Sequence, residues 1–243
     1  MPGQLAACLT ASDHMWLPGH LAVAFLACLP ILYLTKRDRL LSLAYLAFFS
    51  QLPDFLHFED LRMFSHSIFG LTILLLLGIS VFWVVFRPRP SIIAISILAT
   101  PLHLLADLYV GSINPFYPWS KEWMGYHTFN TPFDIELEVL LLGISFIVFL
   151  ALFKPMDLLR SARVQANSAR TQILLLLTPF GAITAFEGGY FVLTSFNHGI
   201  GLARAGLALS FLTLFGIATI VILLIMKSIW KEFGTRPFDD KYG

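Results

Sequence analysis

His103 and Asp107 lie four residues apart in the stretch PLHLLADLYVGSINPFYPW, so a helix through them presents both on one face. Their neighbours are apolar enough for a membrane segment, where an ionised aspartate costs about 2.5–3.5 kcal/mol to insert. A histidine and a carboxylate at this spacing can share a metal ion from one helix face. The same pair can instead hydrogen-bond to a neighbouring helix and hold a bundle together. Three other stretches carry the same residue types. LPGHLAVAF holds His20, SQLPDFLHF holds Asp54 and His57, and MFSHSIFG holds His66 between Ser65 and Ser67, with Arg62 a turn earlier. Taken singly, each has a structural account: an interfacial histidine, a solvated turn at Pro53, a serine cap on the helix that follows.

The elements that must position these residues are membrane helices. The chain has 243 residues, 57% of them hydrophobic and only 13% charged, which excludes an ordinary soluble domain. A net charge of +1 gives no field for nucleic acid, and two cysteines are too few for a disulfide framework. No basic stretch opens the N-terminus, so no cleavable signal is expected. Apolar segments are read at 17–34, 40–52, 66–86, 92–110, 134–153, 173–196 and 205–226, the second of them short for a crossing. The expected fold is an all-α polytopic bundle of six to seven membrane segments, one domain over 1–243. Its site half is 17–119, and 134–226 supplies accessory helices.

Basic residues orient the bundle. With seven crossings, thirteen of the sixteen Lys and Arg fall on one side, and only Arg62, Lys121 and Arg204 on the other. The N-terminus is therefore expected outside and the C-terminus in the cytoplasm of an inner membrane. His20, Asp54, His57, His66, His103 and Asp107 then all fall in the outer half or its loops. If four helices bring three histidines and two aspartates to one depth, burying them uncompensated is expensive. A divalent cation removes that penalty. Mixed imidazole and carboxylate ligation suits zinc, and also manganese or iron, better than magnesium or calcium. Glu187, in TAFEGGYF, is a further candidate as ligand, base or helix-pairing group. Asp134, Glu136 and Glu138 open a helix, where negative charge is favoured.

The order GH, LPD..H, R.F.HS and H...D, from Gly19 to about Trp119, resembles the YdjM-like family of membrane-bound, metal-dependent hydrolases, also described as LexA-binding and inner-membrane-associated. The resemblance implies metal ligation by His20, Asp54, His66, His103 and Asp107, with one or two ions. His57 matches the histidine closing the family's L-P-D-x-D-H motif and is the candidate general acid or base. Arg62 is placed to neutralise a phosphate and Ser67 to orient substrate. Leu56 and Leu61 stand where the family often has Asp and His, which leaves fewer ligands for a second ion. Met63, Ser65 and Val110 also depart from its pattern. The implied activity is phospholipase-like hydrolysis of a membrane lipid by metal-activated water. The short loops hold nothing resembling a repressor- or nucleic-acid-binding module. Two other classes fit the same ligands: a metal or solute transporter, and a non-catalytic protein with a structural ion. Transport asks for polar groups through the midplane, and segments one, three and seven are apolar toward the cytoplasmic face.

Overall fold

The computed structural model describes residues 15–35, 38–56, 59–126, 131–164, 167–198 and 201–234. Among these, nine α-helices follow one another: α1 Leu17–Leu34, α2 Arg39–Ser50, α3 Glu59–Ser65, α4 Ile68–Phe86, α5 Pro90–Val110, α6 Pro132–Leu152, α7 Pro155–Val164, α8 Asn167–His198 and α9 Leu202–Gly234. A 3-10 turn, Asp54–Leu56, follows α2. No strand forms among the described residues; one isolated bridge joins Ile113 to Met124. Six helices (α1, α4, α5, α6, α8 and α9) are long and apolar enough to cross a membrane.

Side-chain bonds fix the direction of each helix. α2 runs parallel to α5, because Arg89 pairs with Asp38 at one end while Thr100 Oγ1 donates to Phe49 O at 3.0 Å and His103 Nδ1 to Ser50 O at 2.7 Å. α1 runs against α5, with Met15 N–H on Asp107 and Cys28 Sγ near Ile95 O. α1 and α6 are parallel, since Trp16 meets Glu138 and Ala22 meets Ser145. α8 and α9 are antiparallel, since Gly188 faces Phe211 and Gly181 faces Ala218. In the order α1, α2, α4, α5, α6, α8, α9 the chain therefore alternates direction. The N-terminus of α1 and the C-terminus of α9 lie at opposite ends of the bundle.

The short second segment is resolved by its surroundings. α2 has 12 residues, about 18 Å of helix. It is seated against α1, α5 and α8 instead of facing lipid, with Ala44, Tyr45, Leu46 and Phe49 buried. Tyr45 Oη donates to Gln172 Oε1 at 2.7 Å, which ties α2 to α8. A helix screened by its neighbours on all sides need not span the full hydrocarbon thickness itself.

Three local features differ from the sequence reading. The third segment starts at Ile68, so His66 lies in the turn before α4, whose N-cap is Ser67. The link after the fifth segment is helical, as α7. The last helix does not stop at Met226 but continues through Lys231 to Gly234.

Candidate metal centre

Each ligand-bearing turn has a local cause. α2 stops at Ser50 before Gln51-Leu52-Pro53, since proline disfavours helical geometry in the residue ahead of it, and the chain re-forms as the 3-10 turn that starts with Asp54. The Ser67 hydroxyl oxygen accepts from Gly70 N–H at 3.0 Å while its proton goes to Phe64 O at 2.8 Å. That cap allows a sharp reversal between α3 and α4, with His66 on its inner side. The reversal also needs Gly70, where a Cβ would sit 1.9 Å from the Phe64 carbonyl oxygen. His103 and Asp107 stand one turn apart in α5, and His20 occupies the first turn of α1.

The five residues read as ligands meet in one buried cluster. Asp54 Oδ1 lies 3.2 Å from His66 Nε2 and 3.3 Å from His103 Nε2. Asp107 Oδ2 lies 3.5 Å from His66 Nε2 and 3.2 Å from His103 Nε2. His20 Nε2 is 3.1 Å from the other oxygen, Asp107 Oδ1, and its ring stacks on His103 with centroids 3.7 Å apart. All five side chains are essentially out of contact with solvent.

Tautomers follow from the outer partners. A carbonyl oxygen only accepts, so His103 Nδ1 carries the proton it gives to Ser50 O. His66 Nδ1 likewise donates to Arg62 O at 3.2 Å, beside Ser65 Oγ at 3.0 Å. Burial holds the His66 imidazole below its ordinary range, against the pull of Asp54 and Asp107. In a neutral ring protonated at Nδ1, Nε2 is a lone pair. A neutral ring so protonated offers its Nε2 lone pair to a cation, whereas a ring protonated on both nitrogens donates Nε2–H to a carboxylate, and the 3.2 Å contacts of His66 with Asp54 and of His103 with Asp107 suit either state. His103 Nε2, Asp107 Oδ2 and both nitrogens of His20 make no hydrogen bond of good geometry.

With both Nε2 atoms unprotonated, imidazole and carboxylate alike would attract a cation among these atoms. Arms of about 2.0–2.1 Å, the usual zinc–nitrogen and zinc–oxygen lengths, give a tetrahedron with edges of about 3.3–3.4 Å. The four contacts joining His66 and His103 to Asp54 and Asp107 span 3.2–3.5 Å, the size of such edges. Four of the six edges of such a tetrahedron are thus matched, and the buried groups could hold a metal ion. Two groups of three, His20–His103–Asp107 and Asp54–His66–His103, each fall within ligand range, but they share His103. One imidazole nitrogen serves one ion, so the second group cannot be filled independently. The donor nitrogens on Ser50 O and Arg62 O are the outer-shell bonds that orient ligating imidazoles.

The remaining sequence candidates are placed differently. Arg62 is half-buried and contributes its carbonyl to His66. Ser67 is buried, and its hydroxyl is engaged at the cap on both sides. His57 lies outside the described residues. Glu187 accepts the Leu17 N–H at 3.1 Å instead of joining the two ligand groups.

Glu187 is one of three carboxylates at the start of α1, and sequence reasoning did not foresee the set. Asp107 Oδ1 accepts Met15 N–H at 3.0 Å and Glu138 Oε1 accepts Trp16 N–H at 2.9 Å. α1 has no side-chain cap of its own. Its orphan N–H groups are satisfied by α5, α6 and α8, and the positive end of its dipole favours their charge. Glu138 was expected to serve the start of its own helix and serves that of α1. Gly19 makes room, for a Cβ there would lie 2.7 Å from Glu138 Oε2. The available signal was the i, i+4 spacing of Asp134 and Glu138, both buried, against the exposed Glu136 between them. Gln51, fully buried beside Ser50 with its Oε1 lacking a hydrogen bond, was also missed.

No family model matches the chain, and neither does any curated protein or solved structure.

Proposed function

We propose that the protein is a membrane-embedded, metal-dependent hydrolase whose substrate is a membrane lipid or lipid-linked molecule. The observation that carries this reading is the buried cluster: two imidazoles and two carboxylates whose four nitrogen–oxygen contacts of 3.2–3.5 Å match the edges of a zinc tetrahedron. When bound, a divalent ion of the zinc class lowers the pKa of a water molecule and polarises the oxygen under attack. The chain's own residues would do the rest. His66, His103, Asp54 and Asp107 would hold the ion, and the Ser50 and Arg62 carbonyls keep the two rings in register. His20, against Asp107 Oδ1, is positioned to steer the second carboxylate oxygen. Arg62 would meet a phosphate, and His57 is the general acid or base by its place in the motif. The YdjM-like resemblance supports the same reaction class.

The basic residues support an orientation. The site shares its end of the bundle with the N-terminus of α1, whereas Arg87, Arg89, Lys154 and Arg160 sit at the other. By the excess of Lys and Arg in cytoplasmic loops, the site faces the extracytoplasmic side of the cytoplasmic membrane. Impermeant thiol reagent on intact cells should then label Lys121→Cys and leave Arg160→Cys unmodified; the reverse pattern overturns the orientation.

One observation favours a second reading. Four side chains would fill a tetrahedral shell, and closed sites are the habit of structural ions, whereas catalytic sites keep a position open. The decisive experiment combines metal analysis of purified protein with lipid turnover in reconstituted vesicles, for the wild type and for His103→Asn with Asp107→Asn. A hydrolase binds metal and turns over lipid, and the double variant folds but loses both. Bound metal without turnover of any lipid leaves the structural reading. Stoichiometric metal in the double variant removes the site assignment altogether.

A further inference from the structure

Among the described residues, exposed tryptophan and tyrosine are confined to two levels of the bundle. At the end opposite the site are Tyr33 at the close of α1, Trp83 in the last turn of α4 and Trp230 in the last turns of α9. At the site end are Tyr109, Trp119, Trp123 and Tyr126, all within or just after α5. Between the two levels, the exposed large side chains of α4 and of the mid-regions of α6 and α9 are aliphatic or phenylalanine, among them Leu76, Leu140 and Ile217, and the exposed polar ones, Thr72, Ser80 and Thr213, are uncharged hydroxyls. Trp and Tyr concentrate at membrane–water interfaces, where an apolar ring sits among headgroups with its polar atom wet.

We infer that the segment 111–126 lies in the lipid headgroup layer of the leaflet that holds the buried His/Asp cluster, with lipid as its occupant. The segment is built to stay there. Ile113 and Met124 exchange backbone hydrogen bonds at 2.9 and 2.8 Å. Ile68 N–H donates to Pro115 O, and Tyr126 N–H to Leu108 O, so the segment is tied to α4 and α5. Its aromatic side chains point outward, Trp119 and Tyr126 each 74% exposed, and the Trp119 ring meets Phe69 of α4 at 5.0 Å. Lys121 and Glu122 are exposed between the two tryptophans, a mixture suited to headgroups and unsuited to hydrocarbon. This surface is continuous with the lipid-facing sides of α4 and α5.

The placement sets the depth of the cluster without reference to its chemistry. Asp107 and His103 precede Tyr109 by two and six residues of the same helix, or about 3 and 9 Å at 1.5 Å per residue. The cluster then sits just beneath the headgroups, at the level where headgroup linkages meet the acyl chains. This assignment does not rest on hydrolysis, and it stands if the ion is structural.

The test is a depth measurement. A nitroxide is attached at Glu122→Cys in the full chain reconstituted into phosphatidylcholine vesicles, with Cys8→Ser and Cys28→Ala removing competing thiols. Leu76→Cys provides a hydrocarbon reference and Asp157→Cys a reference at the other end. Accessibility to oxygen and to a water-soluble nickel chelate should put the Glu122 label within the headgroup layer, about 5–8 Å thick. Replacing Trp119 and Trp123 together by Ser should move that label into water and leave metal content unchanged. A label already in bulk water in the parent chain, or one whose depth ignores the double replacement, overturns the inference. Loss of lipid turnover with label depth preserved would count against the hydrolase reading alone.

Discussion

The two ends of the bundle use the same charged residue types under opposite conditions. At one end Arg89 and Asp38 pair in solvent, the arginine side chain 61% exposed. At the other, Asp54, Asp107, Glu138 and Glu187 are buried beside three histidines. Exposed pairs gain little because water screens them and long side chains lose freedom. Buried groups without water must find hydrogen bonds or a counter-charge, and their penalty when they do not is severalfold larger. The exposed end can therefore vary freely, whereas the buried end is a single unit in which each group is answerable to the others.

The largest break in that contrast is Asp107→Ala. Asp107 contacts three histidines and the Met15 amide, so its loss should release bound metal and destabilise the protein by about 3–5 kcal/mol. Metal analysis and thermal unfolding in detergent measure the two effects; a stable, metal-replete variant would refute the cluster as a unit. Glu138→Gln comes next. The amide oxygen can still accept Trp16 N–H, but its NH2 introduces donors beside a buried turn, and a loss of about 1–3 kcal/mol with metal retained is expected. Equal metal loss would promote Glu138 to a ligand.

Acidification sharpens the comparison further. The folded state holds His66 below its ordinary value, so the unfolded chain binds its proton more readily. In the metal-free protein this contribution to stability is complete above about pH 6.5 and is lost as pH falls through the lowered folded value. His66→Gln should flatten that limb of the stability–pH curve, and an unchanged curve would show that His66 does not titrate there. In the loaded protein, protons compete with the ion, so metal should dissociate over the same direction of pH. The smallest effect belongs to the exposed end. Arg89→Ala should change stability by less than about 1 kcal/mol and leave metal content untouched.

The fold was legible because lipid-facing composition is a coarse and redundant signal: six long apolar helices are visible in the sequence as runs. The cluster was legible because His20, Asp54, His66, His103 and Asp107 are polar residues where hydrocarbon tolerates few. What could not be read was anything that depends on which helices are neighbours. Glu138 looked like an ordinary acidic residue opening its own helix, since nothing local says that another helix ends against it. Ser65 looked like the cap of the helix that follows and Ser67 like a substrate-orienting group, and only the bonds to Gly70 and Phe64 show that Ser67 is the cap. The carbonyls of Ser50 and Arg62 have no side-chain signature at all. Backbone acceptors that orient an imidazole are invisible in a sequence.

The three carboxylates over the first turn of α1 also bear on how the chain is made. The amides of Met15, Trp16 and Leu17 wait for partners 92, 122 and 170 residues downstream. During synthesis at about 5–20 residues per second, α1 spends seconds with its leading amides unanswered. In hydrocarbon those groups have no water to turn to. α1 is thus made well before it is locked, and its seat is complete only when α8 arrives. A chain cut after α5 would keep every ligand of the cluster and lack two of the three acceptors that hold His20's helix in place.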